Sequence, residues 1–197
     1  VDPGPSAHLG SLPLVLAVAV RDAIAACGLS DGVDLKIKWP NDILLNGAKC
    51  CGLLLESQNL PDGRMAVVAG CGINIVSHPE PGLYRATALN REGIGATPSV
   101  LFVHLARSFD AALNLWDEGG GRAAIRERWV ENARGIGEPI TVNLANGRVE
   151  GLFEGIDADG VLLLRTGDGT TRRISSGDLF FGNMTGNAGR EPGQEQE

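Results

Sequence analysis

Between Lys36 and Glu56 the chain reads KIKWPNDILLNGAKCCGLLLE. Two cations, Lys38 and Lys49, stand among apolar neighbours, and Asn41 and Asp42 interrupt sequence that otherwise reads as strand. An ammonium in apolar surroundings favours an anion, because little water competes for its charge. An Asn amide offers a donor and an acceptor side by side, which suits an adenine edge. Asn74 closes a second stretch, GCGIN at 70–74, whose glycines let a ligand approach the backbone. Together these residues point to a pocket for an anionic, hydrogen-bonding ligand. Each also has a plainer reading. Lys49 follows Asn46-Gly47 and can point to water from a hairpin. Alternation can send Lys36 and Lys38 outward, and Asn41 and Asp42 after Pro40 can simply form a turn.

Other chemistries find little support. GCGIN lacks the third glycine and the following helix of a dinucleotide fingerprint, and there is no Walker motif. His8, His78 and His104 show no ligand spacing, and no nucleophile elbow is visible. Cys27, Cys50, Cys51 and Cys71 form no CxxC pair, so a metal site is not expected. They read as reduced thiols of a cytoplasmic protein, with a disulfide pair as the alternative. A net charge of −7 over 197 residues gives no footprint for nucleic acid or an anionic membrane. The apolar run at 11–20 is too short to span a membrane and lacks the basic flank of a signal peptide.

The elements that must position these residues follow from periodicity. Leu12, Val15, Leu16, Ala19, Val20 and Ala23 predict a deeply packed helix over 9–27, ended by Gly28. Strands are expected at 35–39, 43–45, 50–57 and 64–75, with a tight turn at Asn46-Gly47, so that 43–45, 50–56 and 65–69 form a meander. Residues 76–98 read as a long binding-type loop with a short helical piece near Asn90. Helices follow at 99–116, capped by Thr97 or Ser99, and at 122–133. Four alternating runs at 140–144, 149–156, 161–166 and 171–175 predict a small antiparallel barrel. Residues 183–197 have almost no apolar content and are expected to be disordered.

Taken together, KWPND, the apolar strand, Asn-Gly-x-Lys-x-x-Gly and the GxGIN strand end closely resemble the biotin protein ligases. The resemblance runs from about residue 9 to 181. It implies an α+β fold of the class II synthetase-like biotin/lipoate ligase type, a mixed β-sheet packed with helices over 1–134. An SH3-like barrel would follow over 135–182. It also implies a two-step reaction with ATP and biotin as substrates and Mg²⁺ with the ATP. The acceptor would be a lysine in the biotin carboxyl carrier domain of a carboxylase, and a homodimer is possible. By resemblance Lys49 is the catalytic cation bridging biotin and phosphate. Asn41, Asp42 and Asn74 fall on the nucleotide side, Asp42 as a structural or metal-water partner. Gly52, Leu54, Gly70 and Gly72 fall in the biotin pocket with Lys49.

One family feature has no counterpart. A Gly/Arg-rich loop of the form GRGRxGR normally precedes the segment that matches 9–27, and nothing in this sequence matches it. We therefore expect an amino-truncated ligase with an exposed sheet edge, binding biotin weakly and ligating poorly or not at all. A repressor role finds no helix-turn-helix to support it. The alternatives are a lipoate or octanoate ligase-like enzyme, which would lack KWPND, and a degenerate, non-catalytic biotin-binding module. Cys50 and Cys51 stand where apolar residues are usual, which raises the prospect of oxidation beside the site.

Overall fold

The computed structural model describes residues 6–62, 64–79 and 85–182. The expected disordered tail at 183–197 and part of the expected loop at 76–98 lie outside the described residues. A 3-10 turn at Ser6–Ser11 leads into α1 (Leu12–Ala26). The first sheet follows as β1 (Leu35–Lys38), β2 (Asp42–Leu45), β3 (Ala48–Asn59) and β4 (Met65–Ile73), in that spatial order. A 3-10 turn at Leu89–Glu92 precedes α2 (Pro98–Trp116) and α3 (Arg122–Glu131). The second sheet comprises β5 (Pro139–Leu144), β6 (Gly147–Ile156), β7 (Leu162–Arg165), β8 (Thr171–Ile174) and β9 (Asp178–Phe181).

Every ladder in both sheets is antiparallel. Among the described residues, parallel pairing is confined to two isolated bridges, Ile37 with Ala133 and Lys49 with Ala86. The first covers the outer side of β1, where Ile37 N–H donates to the Asn132 carbonyl and Arg134 N–H to the Ile37 carbonyl. Among the described residues β4 pairs only with β3, so it stands at the sheet edge. The second sheet runs β8-β7-β6-β5-β9. It has a fifth strand beyond the four expected, and no ladder joins β8 to β9 among the described residues. The short DLFF strand follows Ser175-Ser176-Gly177, and four residues are too few to show an alternation of their own.

Helix α1 is the spine of the core. Leu14 to Val20 is buried without interruption, as are Leu12, Ala23 and Ile24. Each large side chain taken fully out of water contributes about 1.5–3 kcal/mol. Together with the preceding turn, His8–Ala26 is long and apolar enough to cross a membrane by length and composition, longer than the sequence reading allowed. Its apolarity is matched here by packing against α2, α3 and the first sheet. Helix α2 begins as expected: Thr97 caps it, its hydroxyl accepting from Val100 N–H at 3.4 Å, and Pro98 opens the first turn.

The two sheets meet beside the KWPND segment. Trp39 is buried and its indole N–H donates to the Gly160 carbonyl at 3.0 Å. Arg126 on α3 donates to the Ile156 carbonyl at 2.7 Å. These bonds carry the second sheet against β1 and α3, next to the residues singled out by sequence.

Candidate active site

The β2–β3 hairpin builds the centre of the site. Asn46 (φ 50°) and Gly47 (φ 75°) both take positive φ, the pair of angles a tight two-residue hairpin needs. The ladder then slips by one residue. Ile43 pairs with Cys51 but Leu44 pairs with Lys49, leaving Cys50 as an extra residue on β3. In a regular strand residues three apart face opposite sides. The bulge breaks that rule and brings Lys49 onto the same face as Gly52. A Cβ at Gly52 would lie 3.4 Å from both Cε and Nζ of Lys49. Both cysteines are consequently buried against the core. Burial pushes the Cys50 thiol up to about 12 and raises that of Cys51 as well. The oxidation expected beside the site is therefore disfavoured, since the reactive thiolate is suppressed and water is excluded. All four cysteines are free thiols.

Register places Lys38, Asp42, Gly52 and Gly72 in one row across β1 to β4. Asp42 is the hub of the row. Its Oδ1 lies 2.5 Å from Lys49 Nζ and its Oδ2 lies 3.7 Å from Lys38 Nζ. Oδ1 is fully withdrawn from solvent and meets Lys49 as an ion pair without good hydrogen-bond alignment. Asp42 and Lys38 are only 6% and 5% exposed, whereas the Lys49 side chain is 36% exposed. The outward course allowed for Lys38 by simple alternation is not what the fold adopts. Burial lowers the Lys38 pKa, and Asp42 opposes that shift.

The next row on this face pairs Leu54 with Gly70. A Cβ on Gly72 would meet nothing within 4 Å, and one on Gly70 only the Leu54 carbonyl, at 3.6 Å. Leu54 is 61% exposed and Val68, one pair further along β4, is 63% exposed. The result is a shallow trough of bare backbone at Gly70 and Gly72, with exposed Leu54 and Val68 on the same face and an ammonium at one end. A flat apolar body carrying an acid group fits that arrangement.

The asparagines tie the backbone around this trough. Asn41 Nδ2 donates to the Leu53 carbonyl at 2.8 Å, and Leu53 N–H returns a bond to the Asn41 carbonyl. Asn74 Nδ2 donates to the Thr87 carbonyl at 3.0 Å, and its N–H donates to the Cys50 carbonyl. The segment from Arg85 to Thr87 continues the line of β4 beside Lys49, accepting from Lys49 N–H and donating back to its carbonyl. Glu92 braces this segment to the hairpin: Thr87 Oγ1 and Asn46 Nδ2 each donate to its carboxylate at 2.6 Å. Those bonds lower the Glu92 pKa. Among the described residues no three His, Cys, Asp or Glu side chains gather as a metal site.

The structure thus brings Lys49, Asp42, Gly52, Leu54, Gly70 and Gly72 onto one face and sets Asn41 and Asn74 at its border. Lys38 drew notice by sequence as a cation among apolar neighbours but was given no role of its own, and Glu92 was not singled out. Lys38 could have been found from its four-residue offset to Asp42 across Pro40; Glu92 carries no motif signal.

Comparison with known proteins adds a separate line of support. The Biotin/lipoate A/B protein ligase family matches residues 6–131, and the Biotin protein ligase C terminal domain matches 135–182. The biotin--[acetyl-CoA-carboxylase] ligase of Paracoccus denitrificans is 38% identical over 181 residues, covering 87% of this chain and 72% of that protein. The bifunctional ligase/repressor BirA of Bacillus subtilis is 33% identical, covering 87% of this chain and 53% of its own length. The chain therefore spans about half of that second relative. The crystallised biotin protein ligase of Aquifex aeolicus in complex with biotin and ATP shares the fold, with a TM-score of 0.73 at 24% identity over 92% of this chain and 76% of that one.

Proposed function

This chain belongs to the biotin protein ligase family, and we propose on that footing that its glycine trough and Lys49 form the lysine-bearing wall of a biotinyl-adenylate site. In the first step a carboxylate oxygen of biotin attacks the α-phosphorus of ATP, supplied as its magnesium complex. The new C–O–P bond forms as the bond to pyrophosphate breaks. In the second step the uncharged amine of an acceptor lysine attacks the acyl carbon, an amide forms, and AMP leaves with the bonding pair of the anhydride oxygen. The acceptor is the carrier domain of a biotin-dependent carboxylase.

The observation that carries this reading is Lys49 Nζ, 2.5 Å from Asp42, on a partly exposed side chain standing over Gly52 at the head of the trough. Two anions must approach one another in the first step, and a cation between them offsets their repulsion where charge develops. Gly70 and Gly72 leave room for the fused rings of biotin, and their exposed backbone supplies partners for a ureido group. Asn41 and Asn74 spend one amide N–H each on the framework, so each retains a second N–H and a carbonyl for a nucleobase. Magnesium has no three-residue protein cage among the described residues and would come with the nucleotide phosphates.

Exchange of labelled pyrophosphate into ATP tests the substrate class. Whatever exchange the chain catalyses is expected to depend on biotin and not on lipoate. Exchange that responds to lipoate and ignores biotin would overturn the assignment.

A further inference from the structure

Asp42 is one carboxylate between two ammonium groups. Lys49 touches Oδ1 from the exposed side, and Lys38 faces Oδ2 from the buried side. The three charges sum to one net positive charge, enough to receive one anion. A carboxylate or phosphate that reaches Lys49 competes with Asp42 for its one positive charge and draws the ammonium toward itself. A carboxylate that is 6% exposed cannot be left alone without a large penalty. Lys38 is built to stay behind: it is 5% exposed, and the Phe180 ring of β9 lies 6.0 Å from its Nζ. Asp178, at the start of the same strand, also favours its charged form, and so does Asp42.

We propose that Lys38 is a positioning residue, the standing counter-ion that holds Asp42 when Lys49 swings to the incoming anion, and that β9 of the second sheet is the roof that keeps it there. The inference rests on the reading of Lys49 as the anion-binding cation. It gives the second sheet a part in the site that does not require it to touch substrate. Asp42 then acts as a relay point: one oxygen is permanently held, and the other alternates between holding Lys49 and releasing it.

The test titrates a non-hydrolysable biotinyl-adenylate mimic into the chain and its variants by calorimetry. Lys38→Met is expected to weaken binding by roughly tenfold or more, because Lys49 is then the sole partner of a buried carboxylate. Lys38→Arg should restore most of the affinity. In an Asp42→Asn background the same Lys38→Met change should cost less than about twofold, since there is no carboxylate left to hold. Phe180→Leu, which keeps the roof apolar but removes the ring face, should fall between wild type and Lys38→Met. A second readout follows Lys49 itself, as its acylation rate by an amine-reactive ester at one fixed pH, located by mass spectrometry. Lys49 should label more slowly in Lys38→Met, where Asp42 holds it alone. A loss of affinity that persists undiminished in Asp42→Asn, or an unchanged Lys49 labelling rate, would overturn the proposal. If the wild-type chain binds no mimic at all, the reading of the site falls, and the labelling rates still decide whether Lys38 shares Asp42 with Lys49.

Discussion

At the scale of single residues, the glycines of the trough separate binding from folding. Gly72 has open space where a Cβ would project, so Gly72→Val should leave thermal stability within about 0.5 kcal/mol of wild type. The same change fills the trough, and biotin affinity is expected to drop by roughly tenfold or more, the scale of a small-pocket steric mismatch. Calorimetry and thermal melts on one sample check both halves. Cys50 makes a second residue-scale prediction. Its thiol is held up at about 12 by burial, against an ordinary value of 9.0. Above pH 9 the unfolded chain therefore releases a proton that the folded chain keeps. Stability is unaffected by this group below pH 9 and should fall above it by about 1.4 kcal/mol per pH unit until the folded thiol titrates. Denaturant melts from pH 8 to pH 10 measure it, and a Cys50→Ala variant should show a shallower fall. Sequence singled out Lys49, Asp42 and the glycines, and register sets them on one face of the first sheet. The burial of Lys38 was not legible in the sequence, because the ring that covers it belongs to a residue far along the chain.

The decisive element is the β2–β3 hairpin and its bulge. Sequence gives the turn from Asn46-Gly47, and it gives two strands of the right character. It does not reveal that Cys50 is the extra residue, since two adjacent small apolar side chains suit either face of a strand. That one-residue slip decides whether Lys49 meets Gly52 or points into the core. The bracing of the hairpin was equally hidden. Glu92 reads as an ordinary surface acid, yet it accepts from Thr87 and Asn46 and so ties the hairpin turn to the segment that pairs with Lys49. Glu92→Ala should cost about 1–2 kcal/mol, because it strands the buried Thr87 hydroxyl. The hydrogen bonds lower the Glu92 pKa. Its contribution is thus full above pH 4.5, the ordinary value, and is lost as pH falls through the lowered one. Acid titration of wild type and Glu92→Ala should therefore converge at low pH.

At the scale of the whole molecule, two antiparallel sheets share one task. The first carries Lys49 and the trough; the second fixes the KWPND segment from behind through Trp39 and Gly160 and roofs Lys38 with Phe180. Helical periodicity made α1 and α2 readable, and turn residues made most strands readable. The contact between the sheets was not, since neither Trp39 nor Gly160 announces a partner 121 residues away. Trp39→Phe removes the donor together with one buried ring, so it should cost about 2 kcal/mol or more and loosen both sheets together in hydrogen exchange. The central claim is that Lys49 is the cation of a biotinyl-adenylate site. Calorimetric titration of a biotinyl-adenylate mimic into wild type and Lys49→Ala tests it most directly. The expected result is saturable binding by wild type, a loss of roughly tenfold or more in Lys49→Ala for the missing charged hydrogen bond, and cooperative melting of both proteins. Equal affinity of the two proteins for the mimic would contradict it.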